Sequence, residues 1–204
     1  MTSLLDISPV LPVVVVDDVA TAVPLARALA DGGVPVVEVT LRSDAALDAI
    51  RAIVAEVPGI RVGAGTVCSA EQVKLAGEAG AQFLVSPGAT DRLLDALQGS
   101  ELPFLAGTAT PSDMLRLLER GITEAKLFPA TAVGGAALLR AVAGPLPQLR
   151  FCPTGGITFN TAREYLSLPN VGCVGGTWLA PKSLVESGDW AAISRLAAEA
   201  AALR

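Results

Sequence analysis

One phrase recurs along this chain: a stretch rich in Ala and Leu ends at a glycine, and a short run rich in Val or Ile follows. It reads plainly in Leu29-Ala-Asp-Gly-Gly-Val-Pro-Val-Val-Glu-Val, in Ala76-Gly-Glu-Ala-Gly-Ala-Gln-Phe-Leu-Val and in Leu117-Leu-Glu-Arg-Gly-Ile-Thr-Glu-Ala-Lys-Leu. Glycine just past a helix takes the left-handed conformation that stops it, so each phrase is a helix end followed by a strand. Eight strands are predicted, at 12–17, 34–41, 60–65, 82–86, 103–107, 123–128, 149–153 and 171–175. Helical patterns lie between them at 18–31, 44–56, 69–79, 90–98, 111–120, 134–142 and 159–168, with a last one at 189–203. Ser69, Asp91 and Ser112 stand where N-caps are expected. Strands alternating with helices of this length form a parallel sheet, and eight units close into a (β/α)8 TIM barrel. An open doubly wound sheet is the runner-up, and it leaves some of the units unexplained. Aromatic residues make up only 4%, so the apolar mass is Val, Leu, Ile and Ala, which suits helices packed on a buried parallel sheet. No linker or shift in composition divides residues 1–204, so a single domain is expected, with a short helix within residues 2–7 covering the bottom of the barrel.

Several classes of function are excluded early. The net charge is −5 and no run of Lys or Arg occurs, so neither a nucleic-acid footprint nor a polybasic membrane patch is present. Apolar runs such as Val13 to Val16 are too short to cross a bilayer. The opening residues lack a cationic start and carry Asp6, so no leader is expected and the cytoplasm is the expected compartment. Cys68, Cys152 and Cys173 form no Cys-x-x-Cys pair and are expected to be small buried hydrophobes. Histidine is absent altogether, which removes Ser-His-Asp and Cys-His catalysis and a His-ligated metal. Proton transfer must then use carboxylates, lysine, hydroxyls or water.

Barrel active sites lie at the C-terminal ends of the strands. In the second strand, alternation puts Val37, Val39 and Leu41 on one face and Glu38, Thr40 and Arg42 on the other. The apolar face suits the helix layer, so the polar one points into the barrel, where charges must be paired or used. Either a structural Glu–Arg pair or a functional one satisfies that requirement. Of the three lysines, Lys74 falls on a helix and Lys182 in a loop, both expected in solvent, whereas Lys126 lies inside a strand and shares its inward face with Phe128. An inward lysine near the top of a barrel strand suits imine chemistry, or else a structural ion pair with Glu124 or Glu38. Pro153-Thr-Gly-Gly-Ile after strand seven and Gly175-Gly-Thr-Trp after strand eight occupy the usual phosphate-binding loops of barrels, with Gly155, Gly156 and Gly176 as amide donors. Simple tight turns are the bland alternative for both.

Five blocks, in order, resemble the 2-keto-3-deoxy-6-phosphogluconate (KDPG) aldolases, which include 4-hydroxy-2-oxoglutarate aldolases. They are Pro35-Val-Val-Glu-Val-Thr-Leu-Arg, Val62-Gly-Ala-Gly-Thr-Val, Phe83-Leu-Val-Ser-Pro-Gly, Lys126-Leu-Phe-Pro-Ala and Arg150-Phe-Cys-Pro-Thr-Gly-Gly-Ile. The resemblance implies a metal-free and cofactor-free class I aldolase of the Entner–Doudoroff pathway, cleaving KDPG to pyruvate and glyceraldehyde 3-phosphate. It implies Lys126 as the imine-forming residue and Glu38 as the proton carrier. It implies Arg42 and Thr66 on the keto-acid carboxylate, Pro87 and Phe128 as pocket walls, and Gly155, Gly156 and Thr177 on the phosphate. Thr154 resembles the gluconate-type enzymes, while Ala130-Thr-Ala-Val-Gly-Gly and Gly107-Thr-Ala-Thr-Pro-Ser depart from the family pattern. The same lysine would serve 4-hydroxy-2-oxoglutarate or the galactonate isomer, and family members are expected as homotrimers. An isomerase or epimerase using Glu38 as base, or a sugar-phosphate-binding barrel without turnover, would not need Lys126 as a nucleophile.

Overall fold

The computed structural model describes residues 3–203. Strands and helices alternate as β1 (Val10–Val14), α1 (Ala22–Asp31), β2 (Val36–Thr40), α2 (Ala46–Glu56), β3 (Arg61–Gly65), α3 (Ala70–Glu78), β4 (Leu84–Val85) and α4 (Asp91–Gly99). They continue as β5 (Phe104–Thr108), α5 (Pro111–Glu119), β6 (Glu124–Leu127), α6 (Gly135–Ala143), β7 (Arg150–Pro153), α7 (Phe159–Leu166), β8 (Val174–Gly176), α8 (Lys182–Ser187) and α9 (Trp190–Ala201). Each strand pairs in parallel with its sequence neighbour from β1 to β7, and β8 pairs with β1. Bridges at Phe151–Val171 and Thr154–Gly175 bring β7 to β8 and complete the ring. The expected (β/α)8 barrel is the architecture found.

Local chemistry accounts for the helix starts. Ser69 caps α3, and Thr90 and Thr110 cap α4 and α5 through their hydroxyls. Asp91 and Ser112, expected as caps, lie instead inside the first turns of α4 and α5. At α5 the Thr110 hydroxyl accepts from the Asp113 amide while the Asp113 carboxylate accepts from the Thr110 amide, a reciprocal capping box. Burial alone would raise the Asp113 carboxyl, but bonds from Ala109 and Thr110 outweigh it and hold the group below its usual range. Lys182, expected in a loop, opens the short helix α8, whose six residues were too few to show a period; its side chain is solvated as expected. Lys74 is likewise solvated on α3.

Val, Leu, Ile and Ala fill the layer between sheet and helices, each fully buried large aliphatic contributing about 1.5–3 kcal/mol. Below the barrel a 3-10 turn at Leu4–Asp6 is capped by Ser3. Ser3 Oγ donates to Glu124 at the start of β6, and Asp6 pairs with Arg150 at the start of β7. This is the expected covering helix, shorter than foreseen; the part of that expectation on Thr2 lies outside the described residues. Cys152 and Cys173 are buried, but Cys68 is exposed because it lies past the end of β3, on the loop leading to α3.

Candidate active site

Strand register decides which side chains meet at the barrel's upper end. Val13 on β1 aligns with Glu38 on β2, Glu38 with Gly63 on β3, and Thr40 with Gly65. Across the ring Lys126 on β6 lies between Gly107 on β5 and Cys152 on β7. Both charged residues thus have a glycine beside them, and space is the reason. A Cβ on Gly65 would fall 2.1 Å from Glu38 Oε1, and one on Gly107 would fall 2.2 Å from the Pro87 backbone. Gly65 leaves room for the Glu38 carboxylate that faces Lys126, and Gly107 leaves room for the Pro87 backbone.

Lys126 Nζ stands 3.4 Å from Glu38 Oε1, with side-chain exposures of 6% and 1%. That separation is at the long end for a hydrogen bond. Glu38 Oε2 accepts from no described group, an uncommon state for a buried carboxylate oxygen. Lys126 Nζ also lies 5.3 Å from the centroid of the Phe128 ring, close enough for a cation–π contact. Of the two carboxylates that could have neutralised Lys126, Glu124 turns instead to Ser3 and Arg150.

Lys126 and Glu38 line a cavity of about 360 Å³. Arg42 and Thr66 stand on its walls, as do Pro87 and Phe128. At its β7–β8 side lie Thr154, Gly155, Gly156 and Thr177. Ten of the eleven residues expected from the sequence are therefore brought together. The exception is Gly176, whose missing Cβ would meet the Trp178 ring 2.0 Å away on the outer face of β8. Its neighbour Gly175 lines the cavity instead, because side chains alternate along a strand. Thr40 and Val13 also line it; alternation with Glu38 signals Thr40 in the sequence, whereas Val13 is placed only by the register of β1 on β2. A larger cleft of about 570 Å³ shares Val13, Arg42 and Thr177 with this cavity, but neither Lys126 nor Glu38 reaches it.

Arg42 lies just beyond the end of β2 and is exposed, not buried within the barrel as its alternation suggested. Its Nε donates to Thr40 Oγ1 at 3.1 Å, and it forms no ion pair with a described carboxylate, so the alternative of a structural Glu–Arg pair is not realised among the described residues. Thr66 has φ +57°, a left-handed conformation that is rare for a β-branched residue and costs of order 1–3 kcal/mol.

The glycine loop after β7 is held by the loop after β6. Thr154 O accepts from the Ala130 amide, and Gly155 O accepts from both the amide and the hydroxyl of Thr131, each at 3.1 Å. In a trans peptide the N–H faces away from its carbonyl, so the amides of Gly155 and Gly156 are turned away from the β6 loop. Gly155 and Gly156 have φ of +104° and +78°, and a Cβ at Gly156 would fall 2.1 Å from Thr131 Oγ1. Glycine is required there by conformation and by space alike. Among the described residues no cluster of His, Cys, Asp and Glu has the makings of a metal site, and no helix is long and apolar enough to cross a membrane.

Known proteins resemble the chain closely. The sequence profile of the KDPG and KHG aldolases matches residues 1–196. A 2-dehydro-3-deoxy-phosphogluconate aldolase of Pseudoalteromonas atlantica is 51% identical, over 95% of this chain and 90% of its own. The KHG/KDPG aldolase of Escherichia coli is 50% identical, over 97% and 93%. Among solved structures, the KDPG aldolase of Legionella pneumophila, with pyruvate captured at low pH as a covalent carbinolamine intermediate, superposes with a TM-score of 0.95. It is 42% identical, and the match covers 97% of this chain and 96% of that one.

Proposed function

The chain belongs to the KDPG and KHG aldolase family, and from that premise we infer a class I aldolase that cleaves KDPG to pyruvate and glyceraldehyde 3-phosphate through a Schiff base on Lys126. The observation that carries this reading is the buried amine of Lys126, 3.4 Å from a carboxylate whose second oxygen has no donor among the described residues, in a cavity large enough for a sugar acid.

The residues divide the work as follows. Lys126 Nζ, in its neutral form, adds to C2 of the keto acid, and the carbinolamine loses water with Glu38 donating the proton. Glu38 then takes the proton from the C4 hydroxyl, directly or through one water. The C3–C4 bond breaks, its electron pair flows into the protonated imine to give an enamine, and the aldehyde departs. Protonation at C3 and hydrolysis of the imine release pyruvate and restore the amine. Arg42 takes the substrate carboxylate through its guanidinium fork, helped by Thr66. Pro87 and Phe128 wall the reacting carbons. The amides of Gly155 and Gly156 and the Thr177 hydroxyl take the phosphate, as backbone donors next to a helix start are suited to do. Thr154, packed against Gly175 so closely that a Cβ there would lie 2.1 Å from its hydroxyl, sets the shape of the wall near C4 to C6.

KHG is a second substrate reading, favoured by the 50% identity to an enzyme named for both activities. It uses the same Lys126 and Glu38 but has no phosphate for the glycine loop. Comparing kcat/KM for KDPG, its galactonate isomer and KHG tests the assignment. A preference for KDPG is expected; faster turnover of KHG would transfer the assignment to the unphosphorylated substrate. We further propose that the chain folds as one domain, assembles as a homotrimer and acts in the cytoplasm within the Entner–Doudoroff pathway, as the family resemblance suggests. Sedimentation equilibrium tests the assembly, with the mass of three chains expected.

A further inference from the structure

Arg42 lies beyond the last residue of β2 and is exposed, so packing does not fix its long side chain. The hydroxyl of Thr40 does. Thr40, only 1% exposed, donates from Oγ1 to the Val14 carbonyl at 2.9 Å and accepts from Arg42 Nε at 3.1 Å. Ser43, on the other side of Arg42, donates to the Val16 carbonyl at 2.5 Å. Two hydroxyls therefore tie the segment that carries Arg42 to the end of β1.

The Thr40 bond also selects which edge of the guanidinium is presented. A hydroxyl has one donor and two acceptor positions. Its donor is committed to the buried Val14 carbonyl, which fixes its rotation and directs a lone pair at Nε. With Nε–H engaged, the two terminal nitrogens of Arg42 remain for the cavity that the residue lines, and they donate to no described protein group. That end matches a planar carboxylate with two parallel bonds.

We propose that Thr40 is a positioning residue for the keto-acid carboxylate: its hydroxyl, anchored on Val14, occupies Arg42 Nε and holds the guanidinium's terminal edge toward the substrate. This rests on the reading that Arg42 binds that carboxylate. Thr40 has the same shape as valine, so Thr40→Val removes the hydroxyl and little else.

Steady-state kinetics on KDPG, with thermal melts to verify folding, tests the proposal. Thr40→Val should raise KM about tenfold, the loss of one bond to a charged group, while kcat stays within about threefold. Thr40→Ser should restore KM. In an Arg42→Ala background Thr40→Val should change KM no further, because the hydroxyl acts through Arg42. If Thr40→Val does not fold, Thr40→Cys, whose thiol is a weak donor and acceptor, should show the same rise. Unchanged KM in Thr40→Val beside a raised KM in Arg42→Ala would overturn the role of Thr40 and leave the carboxylate reading standing. Unchanged KM in Arg42→Ala would overturn that reading, and the proposal with it. An equal effect of Thr40→Val with and without Arg42, or a fall in kcat at constant KM, would also overturn the proposal.

Discussion

Strand β6 carries Glu124 and Lys126 two residues apart on one face, and they meet opposite fates at the two ends of the barrel. At the bottom, Glu124 accepts from Ser3 Oγ at 2.5 Å and faces Arg150, which in turn makes two bonds to Asp6. The Asp6 bond, despite partial burial, holds the Arg150 guanidinium above its already high range. These groups are partly exposed and supplied with partners, and such pairs typically contribute less than about 1 kcal/mol each. At the top, Lys126 and Glu38 are almost wholly buried, separated by a long contact, and one carboxylate oxygen has no described donor. Charges of the same kind serve as closure where the protein saturates them. Where it leaves hydrogen-bonding capacity unspent in a buried cavity, that capacity is available to a substrate.

Breaking the upper pair should have the largest effect. Lys126→Ala is expected to abolish release of pyruvate from KDPG, because no other amine lies in the cavity among the described residues. Glu38→Gln keeps shape and hydrogen bonding but cannot carry the proton, and kcat should fall about 10²–10⁴-fold. The comparison is sharpened by a change that touches neither charge. Gly65→Ala would place a methyl 2.1 Å from Glu38 Oε1 and push the carboxylate aside by about an ångström, so kcat should drop roughly 10²-fold with the fold intact by circular dichroism. The lower end should respond least. Glu124→Gln should leave kcat unchanged and cost less than about 1 kcal/mol in a denaturant melt. A large loss of activity there would erase the distinction between the two ends.

Much of this arrangement can be read in the sequence because it depends on periodicities. The alternation that set Glu38 and Thr40 against Val37 and Val39 survives in the barrel, and so does the inward direction of Lys126. What was not legible depends on neighbours distant in the chain. In the sequence Gly65 and Gly107 merely end the predicted strands 60–65 and 103–107, and only the folded barrel reveals that they are clearances for Glu38 and the Pro87 backbone. The choice of Lys126 between Glu38 and Glu124 was open until Ser3, 121 residues away, was seen to take Glu124. Gly176 and Gly175 were indistinguishable as a pair until the strand phase assigned one to each face. The left-handed φ of Thr66 has no sequence signal at all, since threonine ordinarily avoids that region.

The central claim, that Lys126 is the group that bonds covalently to the keto acid, is tested most directly by reducing the protein with borohydride in the presence of pyruvate and mapping the peptides by mass. A single reduced pyruvyl adduct on Lys126 is the predicted result. No adduct, or one confined to the solvated Lys74 or Lys182, would contradict the account and leave the buried Lys126–Glu38 pair as a structural feature of the barrel.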